Sequence, residues 1–242
     1  VSEAGQTAAV SIVLPVLDES QAIAQRLASL ASFRARGVEV IVVDGGSADD
    51  TLARAAPFCD GILAAPRGRA SQMNVGAAAA RGDILLFLHA DTRLPGDALD
   101  AMCEGLREEG RAWGRFDVTI EGRSRLLPLV AAMMNLRSRI TGIATGDQAI
   151  FVTREAFERA GRFPDMPLME DIALSRALKR ISPPLCLPAK VTTSGRRWDK
   201  HGAVRTILLM WRLRLAYFLG ADPAKLAVRY GYAPRAPAGD AR

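Results

Sequence analysis

A histidine and an aspartate, His89 and Asp91, close the most apolar run of the chain, Asp83-Ile84-Leu85-Leu86-Phe87-Leu88. Nothing in that run alternates, so it reads as a strand buried on both faces. Gly82 before it and Pro95-Gly96 after it are chain punctuation. The two polar residues therefore fall at the carboxyl end of a central strand, where open α/β sheets bind their ligands. A carboxylate there beside an imidazole suits a divalent cation carrying a diphosphate. The plainer alternative is that Asp91 only caps the helix begun at Pro95-Gly96-Asp97.

Three other clusters carry chemistry. Asp44-Gly45-Gly46-Ser47-Ala48-Asp49-Asp50-Thr51 follows an apolar run; its glycines permit tight turning and close backbone approach to a ligand. The order strand, acid, Gly-rich turn, helix is a nucleotide-site layout. It contains neither the G-x-G-x-x-G fingerprint nor a P-loop. Arg67 and Arg69 stand just before a helix start, where cations oppose the helix dipole. A bound anion resolves that conflict; two solvated loop arginines are the bland alternative. Met169-Glu170-Asp171 opens a further helix, where acids either complement the dipole or hold a general base at a site rim.

Strands are expected at Val10–Pro15, Val38–Val43, Gly61–Ala64, Trp113–Ile120 and Lys190–Thr193, and an apolar strand after Thr145-Gly146-Asp147-Gln148. Helices are expected after Ser20 (its N-cap) through Leu30, after Asp49 or Asp50 through Leu52, over Ala70–Ala80 and over Ala98–Leu106. Arg123–Ile140 reads as a core helix or an apolar wall on the acceptor side. Val204, Ile207, Leu208, Trp211, Leu215 and Phe218 recur at helical spacing. Such a stripe needs a partner: the protein's own core, a second copy in a homo-oligomer, or a peripheral contact with a membrane surface. The Pro/Ala/Gly-rich tail after Tyr232 reads as disordered. The expected fold is α/β, a mixed, mainly parallel sheet flanked by helices, with one domain over residues 1–200 and an amphipathic helix and tail over 201–242.

The chain has 242 residues, 49% hydrophobic, with a net charge of +6. That composition supplies a large core, and the arginine-led excess suits anionic partners. Cys59, Cys103 and Cys186 lie far apart without metal-ligand spacing, which fits a reducing, cytoplasmic setting. No basic-then-apolar leader is visible, and no run of about 18 apolar residues reads as a spanning helix.

In order and spacing these pieces resemble a family-2 glycosyltransferase of the GT-A fold. The resemblance rests on Pro15 and Glu19, Asp44-Gly45-Gly46-Ser47, Arg69, Asn74 and Gly76, His89-Ala90-Asp91, Gly146-Asp147-Gln148, Glu170-Asp171 and Arg197-Trp198. The strings Arg67-Gly68-Arg69-Ala70…Gln72-Met73-Asn74 and Leu88-His89-Ala90-Asp91-Thr92 are similar to one bacterial subgroup. The resemblance implies an inverting hexosyltransferase taking a nucleotide-diphosphate sugar, a UDP-sugar first, with Mg2+ or Mn2+. It implies a hydroxyl acceptor, lipid-linked in one version, and no nucleic acid. Pro15, Glu19, Asp44, Gly46, Arg69 and Ala90 would line the nucleotide. Asp91 would bind the metal, with His89 and His201 as further ligands, although His89 stands where the family has an acid. Asp171 matches the family's base and Glu170 is its neighbour. Gln148, Arg197 and Trp198 would face acceptor or diphosphate. Ser194 replaces the glutamine of the Q-x-x-R-W element of processive enzymes. Work at the inner membrane face would suit a lipid-linked acceptor. Two alternatives are a sugar nucleotidyltransferase, which needs a glycine that Pro15–Glu19 lacks, and a non-catalytic nucleotide-sugar or membrane-surface module, which has no use for both Asp91 and Asp171.

Overall fold

In the computed structural model, which describes residues 9–232, the apolar runs form strands β1 (Val10–Val16), β2 (Glu39–Asp44), β3 (Gly61–Ala64) and β4 (Ile84–Phe87). All pair in parallel in the order β3-β2-β1-β4. Helices α1 (Ile23–Ala28) and α2 (Ala31–Arg34) link β1 to β2, α3 (Thr51–Ala55) links β2 to β3, and α4 (Arg69–Ala79) links β3 to β4. Period-two alternation sends Ile12, Leu14, Val40, Val42 and Leu86 to one core, with Leu27, Leu30 and Met102. It sends Val13, Ile41, Val43, Leu85 and Phe87 to the other, with Met73, Phe157 and Leu174. The small-residue face of α4 has its reason at Gly76. A Cβ there would fall 2.4 Å from Val13 Cγ1 and 2.9 Å from Val43 Cγ2.

Beyond β4 the chain runs through β5 (Thr92–Arg93), α5 (Ala98–Glu108), β6 (Trp113–Glu121), α6 (Leu127–Thr141), a 3-10 turn (Gly146–Gln148) and β7 (Ile150–Thr153). It continues with α7 (Arg154–Arg159), α8 (Glu170–Leu178), β8 (Leu185–Ser194), α9 (Arg196–His201), α10 (Ala203–Phe218) and α11 (Pro223–Tyr230). The eight-stranded sheet has the order β3-β2-β1-β4-β7-β6-β8-β5, with β7 antiparallel to β4 and β6, and β8 parallel to β6. It is the mixed, mainly parallel α/β sheet that the sequence implies.

Several local expectations change. Ser20 caps no helix: α1 starts at Ile23 after Ala22, and the Ser20 N–H donates to Asp49 (3.2 Å). Asp50 stands at the N-cap of α3 without a side-chain bond, whereas Asp49 accepts from the Thr51 N–H at 3.0 Å. Hydrogen bonds from Thr51 and then Ser20 pull the Asp49 carboxyl down to about 2. The last strand starts five residues before Lys190, at Leu185. Of the α10 stripe only Ile207 packs against the core. Ala203, Thr206 and Leu213 face inward, while Val204, Leu208, Trp211, Leu215 and Phe218 are exposed. The expected tail beyond Tyr232 lies outside the described residues.

Candidate active site

The turn after β2 organises itself around Asp44. Its carboxylate accepts from the Gly46 N–H (3.0 Å), the Ser47 N–H (3.0 Å) and the Ser47 hydroxyl (2.5 Å), and the residue is buried. Gly46 takes a φ of +93° with open space over its Cα, a conformation that favours glycine at a point a ligand can approach. The loop after β1 is laced to this turn. Asp18 N–H donates to Ser47 Oγ (3.0 Å), Ala48 N–H to Asp18 Oδ1 (2.8 Å) and Glu19 N–H to Thr51 Oγ1 (2.8 Å). Pro15 lies in β1 opposite Val43. Behind them the buried Gln72 amide donates to the Val16 and Val43 carbonyls, both at 2.8 Å, and clamps the ends of β1 and β2. Nothing in the local sequence marks Gln72 for this role.

At the end of β4, His89 and Ala90 are buried and Asp91 is half-buried. Arg196 of α9 stands between two carboxylates, 3.3 Å from Glu19 Oε2 and 3.9 Å from Asp91 Oδ2. His89 does not turn to Asp91. Its Nδ1 lies 3.4 Å from Asp147 Oδ1, and its Nε2 edge packs on Gly146, where a Cβ would fall 2.3 Å away. His201 is exposed at the end of α9. Among the described residues no three His, Cys, Asp or Glu side chains gather as a metal cage, so the expected His89 and His201 ligands are not assembled around Asp91. The donor set that remains, one accessible carboxylate, fits Mg2+ or Mn2+ of the kind completed by substrate phosphates and water.

The acid pair opens α8. Met169 precedes it at φ +72°, a left-handed value uncommon outside glycine, and this sharp entry sets Glu170 inward. Asp171 Oδ2 accepts the Gly146 N–H at 3.0 Å. Gly146 thus touches both His89 and Asp171, and brings the acid pair to the end of β4. Glu170, Asp171, His89, Gly146, Met73, Phe87, Ile150 and Phe163 line one small cavity. Burial, then the Asp171 charge, raises the Glu170 carboxyl to about 7, and Arg69 offsets part of the rise. A carboxyl raised in the folded state binds protons that the unfolded chain has released, so stability falls as pH climbs from its ordinary 4.5 to about 7. Glu170→Gln is expected to flatten the melting temperature across that window, as read by calorimetric scans. An unchanged slope in the variant would place the titration elsewhere.

Three expected ligand-facing residues have structural engagements. Gln148 is fully buried; its Oε1 accepts the Thr145 N–H (3.2 Å) and its Nε2 donates to Asn135 Oδ1 (3.4 Å). It closes the turn that carries Gly146 and has no open face for a substrate. Trp198 packs against the core. Arg197 donates to the Tyr230 carbonyl and stacks 3.5 Å over the Tyr230 ring. Arg69 stands 5.9 Å from the Tyr232 ring centroid, while Arg67 is exposed. The segment just after α11 therefore reaches Arg69 at the start of α4, which no local pattern announces. Asn74 exchanges two hydrogen bonds with the Phe163 backbone (2.8 and 3.1 Å), fixing that wall of the cavity.

The family described as Glycosyl transferase family 2 matches residues 11–153, more than half of the chain. An uncharacterized glycosyltransferase of Mycobacterium tuberculosis is 33% identical over 114 residues. That match covers 43% of this chain and 44% of the relative, so the similarity spans less than half of the curated relative's length. Among solved structures, S. aureus TarS 1-349 in complex with UDP-GlcNAc superposes with a TM-score of 0.63 at 18% identity, covering 77% of this chain and 58% of that one. Glucosyl-3-phosphoglycerate synthase from M. tuberculosis, in complex with Mg2+ and UDP, gives 0.60 at 22% identity, covering 93% and 80%. The mannosyltransferase PcManGT of Pyrobaculum calidifontis, in complex with GDP-Man and Mn2+, gives 0.59 at 21%, covering 95% and 66%. At such identities the likeness establishes the fold, a GT-A-like sheet between helices.

Proposed function

This chain belongs to glycosyl transferase family 2, and on that premise we propose that it moves a sugar, with inversion, from a nucleotide-diphosphate sugar to a hydroxyl acceptor. A UDP-sugar is the first donor to try and a hexose the first sugar. The observation that carries the reading is Gly146, which donates its N–H to Asp171 and packs against His89. It links the acid pair to the strand end bearing Asp91. The nucleoside lies over Gly46, beside Asp44, Glu19 and Pro15, with Arg69 toward the diphosphate. Asp91 would hold a divalent ion, Mg2+ or Mn2+, whose charge would offset that building on the leaving diphosphate. Asp171 takes the proton of the attacking hydroxyl. Glu170, its carboxyl raised to about 7 by burial and then by the Asp171 charge, supports the placement of Asp171. Titration calorimetry with UDP and GDP tests the donor side. Affinity is expected to rise with Mn2+ in the wild type and to lose that rise in Asp91→Ala; equal metal dependence in both would remove Asp91 from the site.

In this reading residues 1–200 are the glycosyltransferase domain, and α10 and α11, which pack with Leu168, Met169 and Ile172, belong to the same unit and present a face that meets an anionic bilayer surface. No helix among the described residues is long and apolar enough to cross a membrane. Yet α6 exposes Leu129, Met133, Leu136 and Ile140, and α10 exposes Val204, Leu208, Trp211, Leu215 and Phe218. Neither helix carries an acid, and α10 adds the exposed Arg205 and Arg212. Apolar faces with cations alone complement anionic headgroups. The wild type is expected to float with phosphatidylglycerol vesicles at moderate salt, and a folded Trp211→Glu variant to remain below. No flotation, with size rising with concentration in light scattering, would instead assign the face to a second copy.

A further inference from the structure

We infer that Arg196 of α9 changes partner as the donor binds: it bridges Glu19 and Asp91 in the free protein and passes to the diphosphate when the nucleotide sugar enters. The inference rests on the transferase reading and adds to it a residue that the sequence did not single out. Strand register places this arginine. β5 pairs antiparallel with β8, Thr92 opposite Thr193, and the two threonine hydroxyls lie 3.2 Å apart. Asp91, just before β5, and the residues just after β8 therefore leave the sheet side by side. The turn from β8 into α9 is fixed. The Gly195 N–H donates to the Glu121 carbonyl at 2.6 Å, and a Cβ on Gly195 would fall 2.6 Å from that oxygen. Arg197 is drawn away to Tyr230 and Trp198 to the core, which leaves Arg196 to face the cleft. Its Nη2 lies 3.5 and 3.3 Å from the two Glu19 oxygens and 3.9 Å from Asp91 Oδ2. Among the described residues no other cation comes within ion-pair distance of either carboxylate.

All three separations are long for a guanidinium and a carboxylate, which close to about 2.7–2.9 Å when well paired. The bridge is loose, and the Arg196 side chain is 61% exposed, so a ligand can reach it and it can move. In the transferase reading Glu19 stands on the nucleoside side and Asp91 on the metal side. The diphosphate joins those two ends of the donor, and Arg196 spans the same gap. Arg196 has to give up Asp91 before a divalent ion can take that carboxylate, because two cations at one oxygen repel. Its planar fork of N–H donors matches phosphate oxygens in twos, so the diphosphate is the partner suited to receive it. Without a nucleotide, Arg196 competes with the ion for Asp91. With a nucleotide, it holds the diphosphate beside the ion. The exchange favours entry of ion and donor together.

The test compares two affinities of the full chain in the wild type and in Arg196→Gln, a neutral change at an exposed position. Mn2+ alone is followed by loss of the free ion's paramagnetic resonance signal, and UDP or GDP at saturating Mn2+ by calorimetry. The variant is expected to bind Mn2+ alone roughly two- to fivefold more tightly, the weight of an exposed ion pair. It is expected to bind the nucleoside diphosphate about tenfold more weakly, the weight of a charge-assisted hydrogen bond. The opposite signs are the signature, since a merely structural lesion weakens both. Arg196→Lys keeps the charge without the fork and should restore the Mn2+ affinity of the wild type more fully than its nucleotide affinity. Mn2+ affinity no higher in Arg196→Gln, or nucleotide affinity unchanged from a wild type that binds, would overturn the inference alone. A wild type that binds neither UDP nor GDP would overturn the transferase reading, and the inference with it.

Discussion

Asp171→Asn is expected to turn over a nucleotide sugar about 10²–10⁴-fold more slowly than the wild type, the range a positioned general base supplies. Donor binding should stay near normal, because the variant keeps the side-chain size and one acceptor oxygen for the Gly146 N–H. The loss should therefore sit in kcat and spare KM for the donor. Glu170 is the internal comparison. It shares the helix start and the cavity but is buried, and it is held protonated up to about 7 by burial and by Asp171. Glu170→Gln mimics that protonated form and should retain most turnover at neutral pH. If Glu170→Gln is the dead variant and Asp171→Asn the active one, the roles are reversed.

The largest expected loss of stability is at Asp117. Arg115 is fully buried, and its guanidinium donates to Asp117 and, at 3.3 Å, to the Asn135 carbonyl. Arg139 reaches the other Asp117 oxygen at 2.8 Å. Asp117→Ala strands a charge in the interior, an effect of about 3–5 kcal/mol, or roughly 10 °C in melting temperature for a chain of this length. Replacing both partners, Arg115→Met with Asp117→Leu, should recover most of it. A loss under about 1 kcal/mol in the single variant, the cost of an ordinary surface pair, would contradict the buried-pair assignment. The cluster also bears on chemistry. Asn135 Oδ1 accepts from the Val118 N–H (2.9 Å) and from Gln148 Nε2 (3.4 Å), so the pair, α6 and the Gly146 turn form one connected unit.

The parallel half of the sheet was legible because β1, β2 and β4 are apolar without alternation, and both cores claim them. The insertion of β7 between β4 and β6 was not, since antiparallel pairing across some sixty residues leaves no local pattern. β6 reads as an alternating strand, yet its polar positions Arg115 and Asp117 are buried under α6; charge alone signals solvent, and only the partner reveals an interior pair. The α10 stripe was found by its period, but period does not say which face meets the protein. In this fold the buried Ala203, Thr206 and Leu213 make the contact, with Ile207, Leu209, Ala216 and Tyr217 partly buried beside them. The polar positions singled out by sequence, Asp44 at the end of β2, Asp91 in the loop after β4, and Glu170 and Asp171 at the start of α8, lie where those elements end or begin. Gln148 was misread as ligand-facing, because a glutamine that closes a turn from inside has the same sequence as one that faces a ligand. Gln72, Arg196 and Tyr232 enter through tertiary packing from distant segments.

Release of a nucleoside diphosphate from a panel of UDP- and GDP-sugars, with Mg2+ or Mn2+ and with alkyl hydroxyl and alkyl phosphate acceptors present, is the most direct measurement of whether this chain transfers sugar. The expected result is metal-dependent release from at least one donor, abolished in Asp171→Asn while that variant still binds the donor. Tight nucleotide binding with no release from any donor by the wild type, or release that Asp171→Asn leaves unchanged, would contradict it.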